Sequence, residues 1–230
     1  MLLCNRDELL TRVASSDPEV RLARGIRVLA PVDGGRGGSW IASNELGLSV
    51  CLLNGTAMTG RAARVREAPT VSRGTVLMNL AGAQSLGELR EWIRAAEFQS
   101  VAPFTVAAIQ PGKPAAIFEW NGGELAEDLD GERHMPLVSS SFAAGSVREW
   151  RRREFRRMAG RGIDDAVLYA FHESHRGGPS AYSTCMHRPG AATVSFSSVE
   201  VSRASIAFSF AAHAPCRIAP GACVGLARAN

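Results

Sequence analysis

Segments of strand length arrive in pairs along this chain, each pair joined by a tight turn, and this pairing limits the fold more than any other feature. Ile26 to Ala30 reads as a strand closed by Pro31. Ser39 to Ala42 and Leu46 to Leu53 form a predicted hairpin around Ser43-Asn44-Glu45. Phe104 to Ile109 and Ala115 to Trp120 flank the turn Gln110-Pro111-Gly112-Lys113, and Asn121-Gly122 turns the chain again toward Glu124 to Ala126. Met135 to Ser140 is a further predicted strand. Ala192 to Val201 and Ser205 to Phe210 alternate as half-buried strands do. Helical spacing covers Gly74 to Leu80 and Leu86 to Ala96, where Ser85 and Glu88 make a capping box and Leu86, Leu89, Trp92 and Ile93 form one stripe. Two more helices are predicted at Val147 to Arg161 and Asp164 to His175, the second burying Ala166, Leu168, Phe171 and His172. No regular βαβ alternation occurs. The order strands, helices, strands, helices, strands therefore predicts an α+β fold of stacked antiparallel sheets with helices outside. The tail from Ala214 onward carries no pattern and is expected to be loose.

Composition narrows the class. A chain of 230 residues has room for one sizeable domain or two small ones. Its 46% hydrophobic and 21% charged content is that of a globular protein, not a disordered one. No apolar run approaches a membrane span, no signal peptide is visible, and five scattered cysteines do not read as a disulfide framework. These features suggest a reducing, cytoplasmic setting. The net charge of +4 is concentrated in one helix through Arg148, Arg151, Arg152, Arg153, Arg156, Arg157 and Arg161. Without interleaved aromatics or a recognised binding motif, this helix is expected to be a solvated face whose stems cover Trp150, Phe155 and Met158, with no nucleic-acid partner. The glycine-rich stretch Asp33 to Gly38 lacks a following Gly-Lys-Ser/Thr and is expected to be a turn, not a phosphate cradle.

The chemistry concentrates at the start. Asn5-Arg6-Asp7-Glu8 follows the apolar stub Met1-Leu2-Leu3-Cys4. The stub reads as the end of a buried strand and the tetrad as the turn that leaves it, a usual place to build a site. A plain helix start, with Asn5 as N-cap, is the structural alternative. Downstream stand Gly37-Gly38-Ser39-Trp40-Ile41, Asn54 after Leu52-Leu53, and Ser72-Arg73-Gly74. Later come Pro136 to Phe142 and Cys185-Met186-His187-Arg188, with Thr193-Val194-Ser195 beyond.

In order and spacing these motifs resemble the NRDE family, also called the transport and Golgi organisation 2 family, over nearly the whole chain. The resemblance implies a single domain over 1–230. It implies a four-layer αββα sandwich of N-terminal-nucleophile hydrolase type, here with its first strand truncated. It also implies kinship with choloylglycine hydrolase and penicillin V acylase, in which the thiolate of a first-residue cysteine attacks an amide. On that pattern Arg6 would lower the thiol pKa and Asp7 would hold the amine. Asn54 and Ser140 would donate to the oxyanion, Ser140 standing where other branches carry Asn. Arg188 would face the substrate, and Asn5, Glu8, Trp40 and His187 would line its pocket.

Family members usually begin Met-Cys, with a strand and hairpin before the tetrad, whereas here the tetrad begins at residue 5. The implied nucleophile of an amide (non-peptide C–N) hydrolase would lie upstream of Met1. Cys4 is expected to be a buried thiol and not a substitute. The alternative function is a non-catalytic small-molecule carrier or trafficking factor, for lipid or haem, on the same scaffold. No cofactor is assigned. His172, His175, Cys185 and His187 are spread without a standard zinc spacing, so no metal is assigned either. Cys216 and Cys223 lack His partners in sequence and are assigned nothing. The expected partner is a small-molecule ligand or substrate.

Overall fold

Two antiparallel sheets lie face to face in the computed structural model, which describes residues 1–55, 70–160, 162–217 and 221–229. The first holds β1 (Leu2–Leu9), β10 (Ala191–Val201), β11 (Ser205–Ala211) and β12 (Ala222–Ala227) in that spatial order, with the short β9 (His187–Arg188) also on β10. The second runs in sequence order through β2 (Ser16–Ala23), β3 (Ile26–Val32), β4 (Ile41–Asn44), β5 (Ser49–Asn54), β6 (Phe104–Ile109), β7 (Ala116–Trp120) and β8 (Leu125–Asp128). Between the sheets Leu29, Ile41 and Cys51 meet Ile206, Phe208, Phe210 and Leu226. Each fully buried large side chain there contributes roughly 1.5–3 kcal/mol.

Helices cover both outer faces. α1 (Arg73–Ala81) and α2 (Leu86–Ala95) bury Leu77, Leu80, Leu89 and Ile93 against Phe104 and Phe118 of the second sheet. α4 (Asp165–Glu173) packs on β1, with α3 (Ala144–Met158) beside it. The layers are therefore αββα, as the resemblance implied. The sequence signals for α2 hold in detail: the Ser85 hydroxyl accepts from Glu88 N at 3.2 Å. The return bond of the box lands one residue early, with Glu88 accepting from Gln84 N.

Two glycine motifs meet where α1 starts. Ser72 caps the helix by accepting from Gly74 N, and Gly74 lies against Gly38 and Ser39. A Cβ on Gly38 would stand 2.6 Å from the Gly74 carbonyl carbon, and one on Gly74 would stand 3.0 Å from Ser39 N. Both positions need glycine because backbone meets backbone there.

Several elements differ from expectation. The Asn5–Glu8 tetrad is neither a turn nor a helix start: it lies inside β1, paired with β10, with a register shift between Arg6 and Asp7. Charged residues sit in this strand because side chains on both its faces find ionic or polar partners. Met135 to Ser140 is not a strand. It lies outside either sheet, and Pro136 has no N–H to offer a ladder. The tail from Ala214 is not loose throughout, since β12 pairs with β11 in the register Ile206–Leu226 and Phe208–Val224. Its small residues carry little strand signal, and the partner supplies the order. Ala166 is exposed on α4, and α3 ends at Met158. Arg161 lies outside the described residues.

Candidate active site beside the β1 edge

β1 pairs with β10 on one side only, and no other described strand pairs with its opposite edge. Between that edge, β5, β6 and the α3/α4 layer opens a cavity of about 810 Å³. Leu53, Ala107 and Ile109 come from the second sheet, Ala115 from just before β7, Phe155, Leu168 and Phe171 from the helices, and Leu2 to Glu8 from β1. Arg6, Arg12, Arg36, Arg73, Lys113 and Arg151 also line it, against Asp7, Glu8, Asp33 and Glu132. Among the described residues, six cations against four carboxylates leave the cavity two positive charges in excess.

Strand alternation splits the tetrad between two faces. Arg6 points between the sheets. It donates to Asp33 Oδ2 at 2.5 Å and its guanidinium lies 4.3 Å from the centre of the Trp40 ring. Asp33 is the hub of this cluster. It also takes Arg12 with both oxygens, at 3.1 and 3.0 Å, and Oδ1 accepts from the Gly35 and Arg36 amides. Glu8 stands 3.8 Å from Arg6 and 3.4 Å from Arg12. Burial lowers the Arg6 pKa, and the carboxylates of Asp33 and Glu8 oppose that shift.

Asn5 and Asp7 point the other way, toward the helices. Asp7 Oδ2 accepts both terminal nitrogens of buried Arg151 at 3.2 Å, and Oδ1 accepts from the Thr193 hydroxyl at 2.6 Å. Asn5 donates to the carbonyls of His172 and Thr184 at 2.9 and 3.0 Å, and its Oδ1 lies 3.1 Å from His172 Nδ1. That oxygen can only accept, so His172 carries its proton on Nδ1. Burial first, then the Arg151 charge, pushes the His172 pKa down to about 4, so the ring is neutral at physiological pH.

Cys4 lines the cavity, but its thiol is the wrong kind for attack. A hydrogen bond with Cys51, then burial, raises its pKa well above the ordinary thiol value.

The other residues singled out in the sequence fall into two groups. Trp40 and Asn54 line the cavity with the tetrad, Trp40 buried and Asn54 exposed at the end of β5. Asn54 also borders a smaller cavity of about 350 Å³. Ser140, His187 and Arg188 do not line the larger cavity, although Ser139 does. The Ser140 hydroxyl donates to Phe142 O at 2.7 Å and accepts from Phe142 N at 3.1 Å. Arg188 donates to the Ser141 hydroxyl at 3.0 Å, and His187 lies against the sulfurs of Cys185 and Cys216. Sequence reasoning missed Asp33, Arg12 and His172 as site residues. It also placed Arg151 on a solvated face, where the structure buries it against Asp7. The only available signal was an acidic residue at the head of the glycine-rich turn.

The family model described as Transport and Golgi organisation 2 matches residues 1–152. The chain belongs to that family. The match contains the tetrad and both glycine motifs of this Transport and Golgi organisation 2 member and ends within α3, so α4 to β12 lie beyond it. No curated protein matches the sequence. Among solved structures, penicillin V acylase from Agrobacterium tumefaciens is similar with a TM-score of 0.53 at 10% identity, covering 91% of this chain and 78% of that one. Two variants of conjugated bile acid hydrolase from Clostridium perfringens align at TM-scores of 0.52 and 0.51, both at 11% identity. The first alignment covers 97% of this chain and 87% of that one, the second 89% and 83%. These likenesses show that the family member shares the fold of those proteins. No helix among its described residues is long and apolar enough to cross a membrane.

Proposed function

We propose that this chain holds an amphipathic small molecule with an anionic or amide end in the cavity beside β1. The observation that carries this is a lining that combines the cation cluster of Arg6, Arg12 and Arg73 with the apolar side chains of Leu53, Ile109, Leu168 and Phe171. A site of this size with few convergent polar groups suits a molecule of drug-like dimensions. Asp7 and Asn54 would offer an acceptor and a donor to the ligand's amide, and Glu8 would tune the charge at Arg6.

Amide hydrolysis is the second reading, favoured by the scaffold shared with penicillin V acylase and bile acid hydrolase. It requires an activated nucleophile. Cys4, with its raised pKa, does not meet that need. On the pattern of those enzymes Arg6 would favour the thiolate and Asp7 would orient its amine.

The test is a calorimetric titration of the full chain with a series of fatty acids and N-acyl amino acids, with mass spectrometry of each mixture. Binding that weakens about tenfold in Arg12→Met supports the site. Binding unchanged by Arg12→Met and by Leu53→Asp would remove it. Hydrolysis that disappears in Cys4→Ser would make Cys4 the nucleophile.

A further inference from the structure

We propose that His175, Cys185, His187 and Cys216 form a four-coordinate site for a divalent zinc ion, separate from the cavity beside β1. Each of the four offers one ligand atom, and these atoms all lie within 4.8 Å of one another. His187 Nε2 stands 3.5 Å from Cys185 Sγ and 3.6 Å from Cys216 Sγ. For Zn–S of about 2.3 Å and Zn–N of about 2.0–2.1 Å, a tetrahedron requires a nitrogen–sulfur edge of about 3.6 Å. Both observed edges already have that length.

A second observation points to a missing ligand. Nε2 of His175 is buried and has no hydrogen-bond partner. Its ring centre lies 4.9 Å from that of His187. A buried ring nitrogen without a partner is costly, and a metal would satisfy it.

The backbone holds the four residues in place. Cys185 N donates to Ser174 O at 3.2 Å, which ties the first cysteine to the residue before His175. His187 N donates to Ser180 O at 3.1 Å, and β9 fixes the residue opposite Ala192. Arg217 N donates to Ala214 O at 3.0 Å, closing the turn that carries Cys216. Two imidazoles and two thiolates in a tetrahedral array select zinc over magnesium or calcium, and two thiolates neutralise its charge. With four protein ligands no position is left for water, so the role is structural. The ion would join the end of α4, β9 and the turn after β11. All four ligands lie beyond the residues that the family model matches. The spacing hides the site because Cys216 comes from a segment far along the chain, brought in only by the packing of the first sheet.

The test uses the full chain, stripped with a chelator under reducing conditions and titrated with zinc against a chromophoric competitor, and separately with cobalt. One equivalent of zinc, a raised melting temperature, and a cobalt spectrum with thiolate charge-transfer bands and tetrahedral visible bands are expected. Cys216 is exposed, so Cys216→Ser should keep the circular dichroism of the parent while zinc affinity falls about 100-fold or more. Cys185→Ala should behave alike, and Cys223→Ser should bind as the parent does. The proposal is overturned if the folded parent takes up neither ion, or if Cys216→Ser binds zinc undiminished. It is also overturned if the cobalt spectrum lacks thiolate bands, or if the reduced protein re-forms a Cys185–Cys216 disulfide in preference to binding metal.

Discussion

Arg151 of α3 reaches Asp7 of β1 with both terminal guanidinium nitrogens, each 3.2 Å from the same carboxylate oxygen. The pair joins the helical layer to the edge strand of the first sheet, and Arg151 is almost wholly buried. Removing one partner strands the other. Asp7→Asn is expected to lower stability by about 3–5 kcal/mol in urea denaturation. Asp7→Asn combined with Arg151→Met should recover part of that loss, because no unpaired charge is left buried. A double variant no better than the single one would show that the pair is not an isolated ionic link.

Asp33 carries more of the site than any residue of the tetrad. Asp33→Asn leaves Arg6 and Arg12 without their shared carboxylate and weakens two turn hydrogen bonds. Its cost should again reach about 3 kcal/mol or more. Arg12→Met, at a side chain 39% exposed, should cost no more than about 1 kcal/mol. Chemical denaturation of the two variants gives the ranking, and a reversed order would place the hub elsewhere.

Acid should act on stability in two windows. The His172 pKa is depressed from 6.5 to about 4, so the unfolded chain binds the extra proton first as pH falls. Stability is therefore lost from about pH 6.5 down to about 4 and not further from this group. Glu154 is held down to about 2, first by its hydrogen bond to Arg157 and then by that to Arg176, with burial opposing. Its contribution is present above pH 4.5 and is lost as pH falls toward 2. In denaturation midpoints followed against pH, His172→Gln should flatten the first window and Glu154→Gln should shrink the second, which Glu127, held down to about 2 by Arg90, shares. The reverse assignment would contradict the burial of His172.

Two glycines should respond oppositely to a methyl group. Gly38→Ala drives a Cβ into the Gly74 backbone, which cannot yield as a side chain would, and should cost about 1–3 kcal/mol or more. Gly145 opens α3 with nothing within 4 Å of an added Cβ, so Gly145→Ala should gain up to about 1 kcal/mol. Melting temperatures of the two variants decide it.

Thiol labelling should order the cysteines. Cys223 is exposed and should react fast. Cys4, with a raised pKa, and buried Cys51 should react slowly in the native protein. A fast-reacting Cys4 would revive it as a nucleophile.

The sequence by itself determined the β4–β5 and β6–β8 hairpins, the α1 and α2 helices with the Ser85 cap, and through its ordered motifs the family and the αββα layering. Those signals are local: a turn, a cap or a period is complete within about a dozen residues. It also brought Arg6, Asp7, Trp40 and Asn54 to attention, and the fold places all four on one cavity. Only tertiary structure decided that the tetrad is strand, because its charges are tolerated there by Asp33 and Arg151, one from a glycine turn and one from a helix read as solvated. It alone ordered β12, whose small residues gain their register from β11. It alone separated His187 from the tetrad and set it beside Cys216. Partners so far apart in sequence meet through sheet pairing, and no local pattern records that pairing.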